Sequence, residues 1–200
     1  MNSTYYIDSD ASAVKDFTAR VLYGCNGKDR HKAVALYYAV RDGFPYNPYC
    51  FTLEKEKLKA SFTLAAGEGF CIQKGILLAA AARAVGIPAR LGFGNVINHL
   101  ATEKLKQLMG TNLFVFHGYT TLFIEGRWVK ATPAFNLAMC EKFGTRPLEF
   151  DGRTDSVFHP YDARGNLHME YVHDYGEFDD LPYELMVQEL KRHYPVWFSA

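Results

Sequence analysis

The stretch Gly67-Glu68-Gly69-Phe70-Cys71-Ile72-Gln73-Lys74-Gly75-Ile76-Leu77-Leu78-Ala79-Ala80-Ala81-Ala82-Arg83-Ala84-Val85-Gly86-Ile87-Pro88-Ala89-Arg90 carries most of the information in this chain. Two glycines precede a cysteine, and an apolar run rich in alanine and leucine follows it. That composition predicts a helix from Cys71 to about Val85, with Gly86 as its C-terminal cap and Pro88 forbidding continuation. Gly67 and Gly69 permit a tight approach into the helix. A cysteine in the first helical turn feels the partial positive charge of unpaired backbone N–H groups. This favours the thiolate, which is the nucleophilic form.

The bulk composition narrows the function classes. Lysine plus arginine equals aspartate plus glutamate, 22 each, which argues against a nucleic-acid binder working through bulk charge. The densest charge cluster, Glu54-Lys55-Glu56-Lys57, alternates in sign and reads as a solvated face. Hydrophobic content of 48% and aromatic content of 15% fit a globular chain with a filled core. At 200 residues the chain reads as one domain spanning 1–200, with a core at about 30–136 and an elaboration at 137–200. Cys25, Cys50, Cys71 and Cys140 form no CxxC pair, so neither a disulfide framework nor a zinc site is expected. Cys25, Cys50 and Cys140 read as small buried hydrophobes. The N-terminus lacks a basic segment followed by an apolar one, and the run Ile76 to Ala82 is too short to span a bilayer. The expectation is a cytoplasmic protein without membrane contact.

Outward from the cysteine helix, apolar spacing at Val14, Phe17, Val21 and Leu22 predicts a helix over 11–23. Ala33, Leu36, Tyr37 and Val40 share one face of a second helix over 29–41. Two prolines and an asparagine make 43–48 a loop, and a short charged helix is expected at 53–59. Arg90 to Ile97 reads as a strand, and Thr102 to Met109 as a surface helix with Thr102 as N-cap. Phe114 to Ile124 and Arg127 to Thr132 form a hairpin through the two-residue turn Glu125-Gly126. A helix is expected from Asn136 to Phe143. Residues 144–180 are turn-rich, with one short strand at Met169 to Val172. Pro182 opens a last helix, Tyr183 to Tyr194, which buries Leu185, Val187 and Leu190.

The chemistry rests on a combination: Cys71 at a helix start, a strand, then His117 opening a hairpin that turns through Glu125-Gly126-Arg127-Trp128. These segments resemble the transglutaminase-like superfamily, a branch of the papain-like cysteine-nucleophile fold. The resemblance rests on Gly69-Phe70-Cys71, on Arg83-Ala84-Val85-Gly86-Ile87-Pro88-Ala89-Arg90, on His117-Gly118-Tyr119 and on Glu125-Gly126-Arg127-Trp128. It implies an α+β fold in which N-terminal helices and a central cysteine helix pack on an antiparallel β-sheet. It also implies acyl transfer on amide bonds of peptides or proteins, through a Cys71 thioester with His117 as base. No cofactor and no metal is needed for that chemistry. The sequence does not choose between water and an amine as acceptor; hydrolysis is favoured because water is the default.

The family also implies a third residue, an aspartate that orients the imidazole. Here Thr132, four residues after Trp128 and just before Pro133, stands in its place. Asn136 is a second candidate, because papain-like enzymes use asparagine in this role, and Asp151 and Asp155 are more distant ones. Loss of a triad acid can cost on the order of 10⁴ in rate for a serine enzyme. A cysteine paired as thiolate and imidazolium depends on it less. The alternative is a module with weak or no turnover that binds peptides or proteins in the same cleft. His159, His168 and His173 invite a metal reading through Glu170-x-x-His173, but no second copy of that motif exists. His31 and His99 read as surface or packing residues, and Trp128 as a hairpin anchor. Lys74, one helical turn past Cys71, either favours the thiolate or reaches solvent.

Overall fold

The computed structural model describes residues 1–99, 101, 103–158 and 168–198, with backbone alone at 105, 108, 196 and 197. The helices are α1 (Ser12–Val21), α2 (Asp29–Gly43), α3 (Ala60–Ala66), α4 (Cys71–Ala84), α5 (Glu103–Met109), α6 (Leu137–Phe143) and α7 (Tyr183–His193). The strands are β1 (Ala89–Asn98), β2 (Leu113–Ile124), β3 (Arg127–Ala131) and β4 (Met169–Phe178). They form an antiparallel sheet in the order β3-β2-β1-β4. The fold is therefore α+β, as expected.

The centre of the molecule is α4, in which every residue except Ala84 is buried. α1, α2 and α3 pack on one side of it and the sheet on the other. α2 buries Ala33, Leu36, Tyr37 and Val40, the face its spacing predicts. α4 stops as its sequence requires. Gly86 takes φ +83°, the Ile87 N–H donates to Ala82 O at 3.0 Å, and the Gly86 N–H donates to Arg83 O at 3.0 Å. This pair of reversed bonds satisfies the last carbonyls of the helix. Pro88 then leads directly into β1, which puts α4 and the sheet in fixed register. Arg83 locks the junction by donating to Ala89 O, Asn2 O and Asp179 O.

The β2–β3 hairpin turns through Glu125 (φ +51°) and Gly126 (φ +84°), the left-handed pair that matches strand twist. The register runs from Ile124↔Arg127 to Thr120↔Ala131. Against β1, the register of β2 slips between Gly94 and Val96. Phe116 adopts φ +61° opposite that slip, and its N–H donates to Asn95 Oδ1 at 3.0 Å. A bulky residue rarely takes that conformation; here a bulge and the Asn95 amide hold it. The bulge turns the strand immediately before His117.

Several expectations need correction. α3 is absent from the sequence reading, because a seven-residue helix of Ala-Ser-Phe-Thr-Leu-Ala-Ala shows too little periodicity. β4 runs to Phe178 rather than Val172. It is an edge strand, mostly exposed, interrupted by two register shifts, and so lacks apolar alternation. Pro182 occupies the N-cap of α7, one residue before the helix. In that helix Met186, Glu189 and Leu190 are buried, while Leu185 and Val187 are half-buried. Cys25 and Cys50 are half-buried, whereas Cys140 is fully buried. Thr102 and His159 lie outside the described residues. No helix among the described residues is long and apolar enough to cross a membrane.

Candidate active site

Cys71 is the first residue of α4, and the local sequence explains its setting. Gly67 closes α3 in the left-handed region, φ +73°. Gly69 then pairs with the 45–47 segment: its N–H donates to Pro45 O at 3.2 Å, and the Asn47 N–H donates to its carbonyl at 3.1 Å. A Cβ at Gly69 would sit 3.3 Å from Gln73 and Thr63 side-chain atoms, so only glycine fits easily. Gln73 fastens the helix start by accepting from the Phe70 N–H at 3.3 Å and donating to Lys57 O at 2.8 Å. The first intrahelical bond in this turn runs from the Lys74 N–H to Phe70 O. The N–H groups of Cys71 and Ile72 thus remain directed at the thiol, joined from β2 by the Gly118 N–H. Gly118 can approach because it lacks a side chain: a Cβ there would lie 3.2 Å from Ile72 Cα.

His117 therefore stands beside the start of α4, on the strand whose next residue touches it. Cys71 and His117 line the same cleft, which encloses about 610 Å³ with its mouth included. Both side chains are more than nine-tenths buried. Burial pushes the Cys71 thiol up to about 11, against the opposing pull of the three N–H groups. Burial pushes the His117 imidazole down to about 3. Burial thus works against the resting thiolate expected at a helix start. A helix start supplies only partial charge, and desolvation outweighs it. Both shifts favour a thiol beside a neutral imidazole.

Among the described residues, neither His117 nitrogen has a hydrogen-bond partner, and neither does Thr132 Oγ1. Thr132 lies one residue past the end of β3 and is buried. Its backbone is held by Ser156 O, which accepts from its N–H at 2.9 Å, and by the Tyr37 hydroxyl, which donates to its carbonyl at 3.1 Å. The Tyr171 hydroxyl approaches its side chain from β4 without completing a hydrogen bond. The structure does not bring Asn136 to the imidazole. Its Oδ1 accepts from the Tyr46 N–H at 3.0 Å and anchors the 45–47 segment. Asp155 accepts from the Lys130 N–H, and Asp151 from the N–H groups of Arg153 and Thr154. The His117 ring instead packs edge-on against Phe158, centroids 4.8 Å apart.

Lys74 does neither of the things its spacing suggests. It is fully buried, and its Nζ donates to Arg41 O (2.8 Å), Phe44 O (2.6 Å) and Ala134 O (2.8 Å). Three carbonyls match the three donors of an ammonium. Burial nevertheless pushes its pKa down to about 7. Lys74 ties α2 and the segments bearing Tyr46 and Thr132 to the cysteine helix. It is the site residue the sequence reading mistook, because α4 is buried all round and spacing alone cannot show which side a lysine takes.

Among the described residues no group of three metal-ligating side chains converges. His173 packs against Tyr175, with centroids 4.4 Å apart, and His99 Nε2 lies 3.3 Å from Glu170 Oε2.

A fold that sets a cysteine helix against a histidine-bearing antiparallel sheet defines the papain-like cysteine-nucleophile class. The chain belongs to the transglutaminase-like superfamily, whose model matches residues 15–133, from α1 through the end of the hairpin. No curated protein matches its sequence significantly. Among solved structures, it is similar to a proposed cysteine protease from Cytophaga hutchinsonii, with a TM-score of 0.51 and 20% identity. That likeness covers 66% of this chain and 39% of the other, so this chain spans about two fifths of that protein. It is also similar to the arylamine N-acetyltransferase of Salmonella typhimurium, with a TM-score of 0.53 and 15% identity, over 98% of this chain and 72% of that one.

Proposed function

We propose that the protein catalyses cysteine-dependent acyl transfer on amide bonds of peptides or proteins, with water as the favoured acceptor. The observation that carries this is the meeting of Cys71, at the start of α4, with His117 in one cleft, while three backbone N–H groups aim at the sulfur. With a neutral resting pair, attack is concerted. The imidazole takes the thiol proton as Sγ bonds to the carbonyl carbon, then gives it to the leaving amine. The Cys71 and Gly118 N–H groups, beside the sulfur, are the candidates to stabilise the oxyanion. Water or an amine then releases the thioester.

Thr132 is the candidate orienting residue: its hydroxyl is unpartnered at the position of the family's acid and can accept from the imidazole when a substrate closes the cleft. Asn136 acts on the site through Tyr46 rather than through His117. Turnover is accordingly slow, since among the described residues no carboxylate meets the imidazole. The unpartnered imidazole also favours a second reading, a module that binds in this cleft without turnover. Four free cysteines and a balanced charge support a cytoplasmic setting. Leu190 and Tyr194 of the last helical segment line the same cleft as Cys71, which supports reading residues 1–200 as one domain. The test is a Cys71→Ala variant, which should lose both acyl-enzyme and amide turnover; turnover that survives refutes the proposal.

A further inference from the structure

The walls of the cleft carry a specificity that the matched family segment does not contain. Among the described lining residues there is no lysine, arginine, aspartate or glutamate. The walls are Phe51, Phe70, Phe114 and Met109 on one part and Leu190 and Tyr194 on the other. The last two belong to the C-terminal segment, well past residue 133 where the family match ends. Tyr194 is built into the site. Its hydroxyl accepts from the Val115 N–H at 2.8 Å and donates to Leu113 O at 2.6 Å. β3 pairs with β2 only from Thr120 onward, so this stretch of β2 has no strand on that side, and Tyr194 satisfies its backbone. Leu190 is 2% exposed and projects from α7 into the same space. Without its open mouth the cavity measures about 80 Å³, room for one small group.

We propose that the C-terminal segment completes a pocket beside Cys71 for a neutral, apolar group about the size of one aromatic ring, borne on the acyl side of the bond attacked. Leu190 and Tyr194 set that specificity. The proposal rests on the acyl-transfer reading for its chemistry but not for its binding. Charged groups are rejected because the wall beside the Cys71–His117 pair holds no opposite charge for them once they are desolvated. A hydrophobic pocket discriminates by about 10- to 200-fold per methylene-sized change, so the preference should be readable.

The probes are p-nitrophenyl phenylacetate, acetate and mono-succinate, scored by mass spectrometry for the thioester on Cys71. Sγ–C forms, C–O breaks, and the thiol proton leaves through the imidazole to the nitrophenolate. Phenylacetyl transfer should exceed succinyl transfer at least about tenfold. Leu190→Asp should erase the preference, and Tyr194→Phe, which keeps the ring, should largely retain it. In parallel, phenylacetamide should slow alkylation of Cys71 by iodoacetamide, whereas N,N,N-trimethylphenylalanine amide, whose charge does not titrate, should not. Protection by phenylacetamide without any thioester would sustain the pocket and refute acyl transfer. Equal acylation by all three esters, or equal protection by both amides, would overturn the pocket. A Leu190→Asp protein that fails to fold is replaced by Leu190→Ala, where a preference unchanged from the parent would overturn it as well.

Discussion

Replacing Lys74 by methionine probes the joint that holds the site together. Methionine keeps the volume of the stem and removes the three bonds to Arg41 O, Phe44 O and Ala134 O. Each carbonyl left buried without a donor costs about 1–3 kcal/mol. Removal of the ammonium, itself costly to bury, returns part of that sum. The expected net loss is about 3 kcal/mol, a large share of a typical native stability of about 5–15 kcal/mol. At a urea dependence of about 2 kcal/mol/M, the unfolding midpoint falls by about 1.5 M. The pH dependence gives a sharper signature. The folded-state pKa of Lys74 is lowered from 10.5 to about 7, so between those values the unfolded chain binds more protons. Stability therefore rises with pH across that window, by up to about 1.4 kcal/mol per unit, and Lys74→Met lacks this gain. The raised Cys71 thiol works in the opposite sense above pH 9, so the difference between the two proteins isolates Lys74. Urea titrations of both proteins from pH 6 to pH 9 make the comparison. A midpoint shift under about 0.3 M, or parallel pH profiles, would refute the reasoning.

Three further outcomes follow from the geometry. Alkylation of Cys71 by iodoacetamide should rise toward a midpoint near 11 rather than the ordinary thiol value of about 8.5; a midpoint below 8 in a pH-rate profile would mean that a thiolate–imidazolium pair already exists. Thr132→Asp should restore a charge partner for the imidazole, raising the His117 pKa from about 3 in an NMR titration and speeding acylation; an unchanged titration would show that position 132 does not face the ring. Gly92→Ala should destabilise the sheet by about 1–3 kcal/mol in thermal unfolding, because its Cβ would lie 2.1 Å from the Tyr119 ring packed over that glycine; a neutral effect would mean the Tyr119 ring moves freely.

Much of this architecture is legible in the sequence where local chemistry is strict. Gly86 before Ile87-Pro88 fixes the end of α4, and Glu125-Gly126 fixes a hairpin turn, so Cys71 and His117 fall on the elements expected of them and Thr132 just past the end of β3. What the sequence hides depends on depth rather than pattern. Lys74 lies on a helix without a solvent face, so its three carbonyl partners, drawn from residues 30 to 60 positions away, leave no periodic trace. The left-handed Phe116 is equally hidden, because the conformation is held by Asn95 across the sheet rather than by its neighbours. The thiolate favoured at a helix start is opposed by burial, a tertiary property. Asn136 reads as an imidazole partner only until its side chain is seen bonded to the Tyr46 backbone.

The central claim is that Cys71 attacks a carbonyl with His117 as its base. Intact-protein mass spectrometry after a pulse of p-nitrophenyl acetate, compared across the parent, Cys71→Ala and His117→Ala, tests it most directly. The account predicts one acetyl group on the parent, mapped to Cys71, none on Cys71→Ala, and acylation slowed at least about a hundredfold in His117→Ala. Acetylation at an equal rate in His117→Ala, or acetyl groups on Cys25 or Cys50 in place of Cys71, would contradict it.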